Sequence, residues 1–83
     1  MSYSITRCYS SMPNQAEGKL NGDYFYFRAR HGYWTLSVGD TFEDSIDGKT
    51  LAEGEENRAG WWSEATCLAF VTTLLERFSD GQA

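Results

Sequence analysis

Two runs of the chain alternate with a period of two. They are Tyr24-Phe25-Tyr26-Phe27-Arg28-Ala29-Arg30 and Tyr33-Trp34-Thr35-Leu36-Ser37-Val38, with His31-Gly32 between them. Successive side chains of a strand point to opposite faces, so this alternation predicts a hairpin over 24–38. A two-residue loop pairs Arg30 with Tyr33, Ala29 with Trp34, Phe27 with Leu36 and Phe25 with Val38. Phe25, Phe27, Ala29, Trp34, Leu36 and Val38 then share the buried face. A slip of one residue would carry arginine into the core, so the hydrophobic pattern selects this register. The opposite face carries Tyr24, Tyr26, Arg28, Arg30, Tyr33, Thr35 and Ser37.

After Gly60 the period changes to 3.6. Cys67, Phe70, Val71, Leu74, Leu75 and Phe78 recur at helical spacing, an apolar stripe fit to cover the sheet's core face. The pattern predicts a helix over 63–78. Ser63 is its N-cap, Glu64 suits the positive end of the helix dipole, and Gly81 stops it. Trp62 is placed to staple the helix start onto Cys67. Trp61 and Trp62 are adjacent and cannot both enter one core, so one packs and the other stays partly exposed.

The remaining segments are less periodic. Tyr3 to Tyr9 reads as a short strand, and 10–22 as a loop that ends in the turn dipeptide Asn21-Gly22. Seven of the twelve acids fall between Asp40 and Glu56, against a single Lys49. Asp47-Gly48 is a second turn signal, so Thr41–Ile46 and Lys49–Glu53 are expected to form an acidic ribbon, with an irregular loop as the alternative. Strands first and one helix last give a small α+β domain over 1–83. Its antiparallel sheet has three to five strands and packs in two layers against the C-terminal helix.

Composition and charge narrow the function classes. Thirteen of the 83 residues are Phe, Trp or Tyr, a content far from that of a disordered chain. Seven Lys and Arg against twelve Asp and Glu leave a net charge of −5. This disfavours nucleic acid and anionic membrane as partners and favours a basic protein surface. The longest apolar-leaning run, Ala65 to Leu75, is too short to cross a bilayer. Met1 to Arg7 has no apolar stretch of the secretory kind, and two cysteines make no disulfide framework, so a cytoplasmic setting is expected.

Catalytic chemistry finds little footing. His31, the only histidine, sits in a turn where a positive φ is tolerated. No local signature joins it to Cys8, Cys67 or a serine. Two cysteines and one histidine cannot close a zinc site within one chain. Glu43 to Gly48 approaches a calcium loop, but Glu43 replaces the first Asp and Gly54 stands where a bidentate Glu is needed. Gly48-Lys49-Thr50 lacks the earlier glycine of a phosphate loop, which is Glu43 here. The expectation is a non-enzyme with no metal and no cofactor.

Two surfaces remain. One is acidic and comprises Asp40, Glu43, Asp44, Asp47, Glu53, Glu55 and Glu56. The other is the Tyr24, Tyr26, Arg28, Arg30, Tyr33 face, rich in the residue types that dominate binding hot spots. A small acidic domain without a catalytic constellation has the size and sign of inhibitors from phages and mobile elements, including anti-CRISPR and anti-restriction proteins. The expected function is therefore inhibition of a nucleic-acid-handling complex, with the acids taking the place of nucleic acid in a basic groove. A single-strand binder that stacks bases on the Tyr/Arg face, and a dimeric accessory or immunity protein, are the alternatives.

Overall fold

The structure is a computed structural model and describes residues 3–9 and 14–80. Its elements are β1 (Tyr3–Tyr9), β2 (Asn14–Leu20), β3 (Asp23–Arg30), β4 (Tyr33–Gly39), α1 (Phe42–Ile46), β5 (Lys49–Glu55) and α2 (Glu64–Asp80). The strands form one antiparallel meander in the order β1-β2-β3-β4-β5. This is the expected α+β architecture, with α2 on one face of the sheet.

The β3–β4 hairpin has the expected register, from Phe25 opposite Val38 to Arg30 opposite Tyr33. Its turn residues His31 and Gly32 have φ of 54° and 79°; Asn21 and Gly22 at the β2–β3 turn have 54° and 93°. Consecutive positive φ values give the primed turns whose twist matches a hairpin. Phe25, Phe27, Ala29 and Leu36 are completely buried, as are Cys67, Val71 and Leu75 from α2. Phe70 of α2 fills the remaining aromatic space, with its ring 4.8 Å from Trp62 and 5.2 Å from Trp34.

Ser63 is the N-cap of α2, since Thr66 N–H donates to its Oγ at 3.2 Å. The helix runs from Glu64 to Asp80, slightly beyond the expected end, and Gly81 lies outside the described residues. Trp62 is buried and its ring faces Phe27 and Phe70, whereas Trp61 keeps 66% of its surface exposed.

Two expectations need correction. The loop assigned to 10–22 contains β2 over Asn14–Leu20, while residues 10–13 lie outside the described residues. β2 does alternate, but its inward positions are Asn14, Ala16, Gly18 and Leu20, so the usual large apolar signal is missing. Smallness is required there: a Cβ at Gly18 would collide with the Ser4 carbonyl oxygen and stand 2.9 Å from the Phe25 ring.

The acidic ribbon is the second correction. Thr41–Ile46 is not a strand; Phe42–Ile46 is the short helix α1, and β5 pairs with β4 instead. The physical reason is capping. The Thr41 hydroxyl accepts from Asp44 N–H at 3.0 Å, and Glu43 and Asp44 occupy the first turn, where negative charge is favoured. Gly48 then lets the chain return beside β4, because a Cβ there would strike the Val38 carbonyl oxygen.

Candidate interaction surface

The sheet face opposite α2 is built by register. Tyr9, Gln15, Arg28, Thr35 and Glu53 form one row across all five strands, and Arg30, Tyr33 and Glu55 form the next. A third row joins Arg7, Glu17, Tyr26 and Ser37.

α1 packs on this face over the third row. The Phe42 ring meets Tyr26 edge-on at 6.5 Å, and Ser37 Oγ donates to the Ser45 carbonyl at 2.6 Å. Ser37 and Ser45 are both buried by this contact. The Tyr/Arg patch is thereby divided. Tyr24 and Tyr26 are half-buried, while Arg28, Arg30 and Tyr33 stay exposed. Tyr26 OH donates to Gln15 Oε1 at 3.2 Å, and burial pushes its phenol above the usual range. The Lys19 ammonium lies 4.8 Å from the Tyr24 ring centre.

The acids fall on the same side. Glu53 and Glu55 stand across from Thr35 and Tyr33 on β4. Glu43 and Asp44 open α1, Asp47 is its C-cap, and Asp40 precedes it. Glu56 follows β5 and donates its N–H to the Gly32 carbonyl at 2.9 Å. All seven acids are exposed. Tyr33 OH donates to Glu53, and that bond, followed by burial and the charges of Glu53 and Glu55, raises the phenol pKa. The acidic and aromatic surfaces, two separate features along the chain, are thus brought to one side of the sheet.

One feature of this side comes from residues far apart in sequence. A depression of about 710 Å³ opens between Tyr33 and Trp61, bordered by the His31–Gly32 turn, Glu55 and Glu56. A second, of about 310 Å³, lies on the other flank of Tyr33 and is lined by Arg28, Arg30 and Thr35. Tyr33 therefore stands between an anionic and a cationic hollow. No local motif announces this, because it depends on the register of β5 and on the fold of 56–61.

His31 Nε2 accepts from Arg30 Nε at 3.1 Å. Cys8 and Cys67 are adjacent on the opposite, α2-covered side, and both thiols are raised above their ordinary range by burial. Among the described residues no group of three or more His, Cys, Asp or Glu is placed to hold a metal, and no helix is long and apolar enough to cross a membrane. The surface offers exposed carboxylates, the guanidinium groups of Arg28 and Arg30, and the exposed rings of Tyr9, Tyr33, Phe42 and Trp61. The chain matches no protein-family model, no curated protein and no solved structure.

Proposed function

We propose that the protein is a non-enzymatic binding protein that inhibits a nucleic-acid-handling complex by seating the α1–β5 side of its sheet against a basic groove. One observation carries the reading: α1 and β5 together with the residues flanking them carry seven exposed acids, and α1 and the β5 residues Glu53 and Glu55 lie on the sheet side that also carries exposed Arg28, Arg30 and Tyr33. Clustered like charge of this kind steers a basic partner and rejects phosphate backbones. The partner is then a cytoplasmic protein that normally receives nucleic acid, and the inhibitor is of the anti-CRISPR or anti-restriction type.

The test is capture from host lysate by the tagged protein, with and without nuclease, followed by a high-salt wash. A stoichiometric protein that survives nuclease and leaves at high salt supports the reading. Reversal of Glu43, Asp44 and Asp47 to lysine should abolish that capture while circular dichroism stays unchanged. Unchanged capture by this variant excludes the α1 acids. Recovery of nucleic acid instead moves the assignment to single-strand binding through Arg28, Arg30 and Tyr33.

A further inference from the structure

We propose that the hollow between Tyr33 and Trp61 is a receptor for an arginine side chain presented by a basic protein segment. The inference rests on the acidic-inhibitor reading and names the contact that gives that surface its specificity. Two aromatic rings border the hollow, Trp61 with 66% and Tyr33 with 43% of their surfaces exposed, and Glu55 and Glu56 line it. Aromatic faces beside carboxylates attract a cation twice, through the ring quadrupole and through charge.

The walls are set in advance. Gly32 N–H donates to the Ala59 carbonyl at 3.0 Å, Glu56 N–H to the Gly32 carbonyl at 2.9 Å, and Trp61 N–H to the Arg58 carbonyl at 2.8 Å. Gly60 has a φ of 101°, and a Cβ there would sit 3.0 Å from Arg30 Cα. The segment carrying Trp61 is therefore pressed against the β3–β4 turn, and a guest meets a backbone already fixed in place, which lowers the ordering cost of binding.

Arginine fits better than lysine because its planar guanidinium stacks on a ring while its edge donates to carboxylates. A nucleobase could stack on Trp61, but its phosphates would face Glu55 and Glu56. The cationic hollow beyond Tyr33 places Arg28 and Arg30 on the other flank, so an acidic residue flanking the guest arginine would also be accommodated.

Fluorescence anisotropy with labelled octa-arginine, octa-lysine and oligo-dT tests the assignment on wild type, W61A, E55Q/E56Q and the α1 control E43Q/D44Q. Trp61 is exposed, the Glu→Gln changes are isosteric and Asp44→Gln adds one methylene at an exposed position, so circular dichroism should show all variants folded. Octa-arginine should bind about threefold or more tighter than octa-lysine. W61A and E55Q/E56Q should each weaken it by roughly three- to tenfold, and more than E43Q/D44Q does. Salt-sensitive binding that W61A leaves intact, or equal effects of both acidic pairs, would overturn the arginine site and leave the acidic-surface reading standing. No binding of either peptide by wild type overturns both, and oligo-dT binding in their place assigns the rings to base stacking.

Discussion

The side-chain amide of Asn14 pairs with the backbone of Trp62 as one strand pairs with another. Asn14 Nδ2 donates to the Trp62 carbonyl and Trp62 N–H donates to Asn14 Oδ1, both at 3.0 Å. Asn14 is completely buried, so water cannot replace it. Through this pair β2 holds the entry to α2, and with it the junction where Trp62 turns inward and Trp61 outward. Asn14→Ala leaves a buried donor and a buried acceptor unpaired and should cost about 2–4 kcal/mol. Chemical denaturation measures this directly. Asn14→Asp keeps the acceptor but loses the donor, and should be more damaging at neutral pH than under acid, where the carboxyl is protonated. A loss below about 0.5 kcal/mol for Asn14→Ala would show that the junction is held by packing alone.

Steric need and conformational need separate at two glycines. A Cβ at Gly48 would collide with the Val38 carbonyl oxygen and lie 2.6 Å from the Asp44 carbonyl oxygen, so β5 could not close beside β4 after α1. A Cβ at Gly22 meets nothing within 4 Å, and its only obstacle is a φ of +93°. Gly22→Ala should therefore cost about 1 kcal/mol. Gly48→Ala should cost more, with faster hydrogen exchange in β5 and α1 than in β2 and β3. Equal losses at the two sites would show that the α1–β5 link relaxes freely.

These residues also explain what the sequence disclosed. The β3–β4 register was legible because a slip would bury arginine, and α2 because Cys67, Val71, Leu74 and Leu75 repeat at 3.6. β2 was not, since its core positions are filled by Asn14, Ala16 and Gly18, chosen for a hydrogen bond and for closeness to β1. α1 was hidden by its length: at five residues it shows no periodicity, and its one signal is the Thr41 cap three residues before Asp44. For the candidate surface, the acidic and Tyr/Arg residues were readable as types. Their arrival on one side, and the placing of Trp61 and Tyr33 around one hollow, depend on long-range pairing that no local pattern encodes.

Tyr33 offers a spectroscopic report on that surface. Its hydroxyl donates to Glu53, with burial and the Glu53 and Glu55 charges adding to the rise in its pKa. A raised phenol pKa stabilises the fold below the unfolded value near 10 and loses that contribution as pH rises through the folded value. Ultraviolet or NMR titration should show Tyr33 ionising later in the folded protein than in the denatured chain. Glu53→Gln preserves an acceptor but removes the charge, so it should bring Tyr33 back toward its denatured-chain value. If Tyr33 titrates alike in the folded and denatured wild type, the Tyr33–Glu53 bond is not populated in solution.

The two thiols make the opposite face testable in the same way. Burial first, and then the neighbouring Cys8, push the Cys67 thiol up to about 12; Cys8 is raised as well, chiefly by burial. Thiolate is the reactive form, so at mildly alkaline pH the native protein should be alkylated slowly, Cys8 before Cys67, and both should react quickly in denaturant. Because the folded Cys67 value lies above the unfolded value near 8.5, its contribution is complete below that pH. It declines as the unfolded chain ionises and is gone once pH passes through about 12. Cys67→Ala should cost about 1 kcal/mol at neutral pH through lost packing. It should also flatten the alkaline fall in melting temperature relative to wild type. Rapid labelling of native Cys67, or an alkaline profile unchanged by Cys67→Ala, would mean that α2 opens from β1 far more readily than its buried stripe implies.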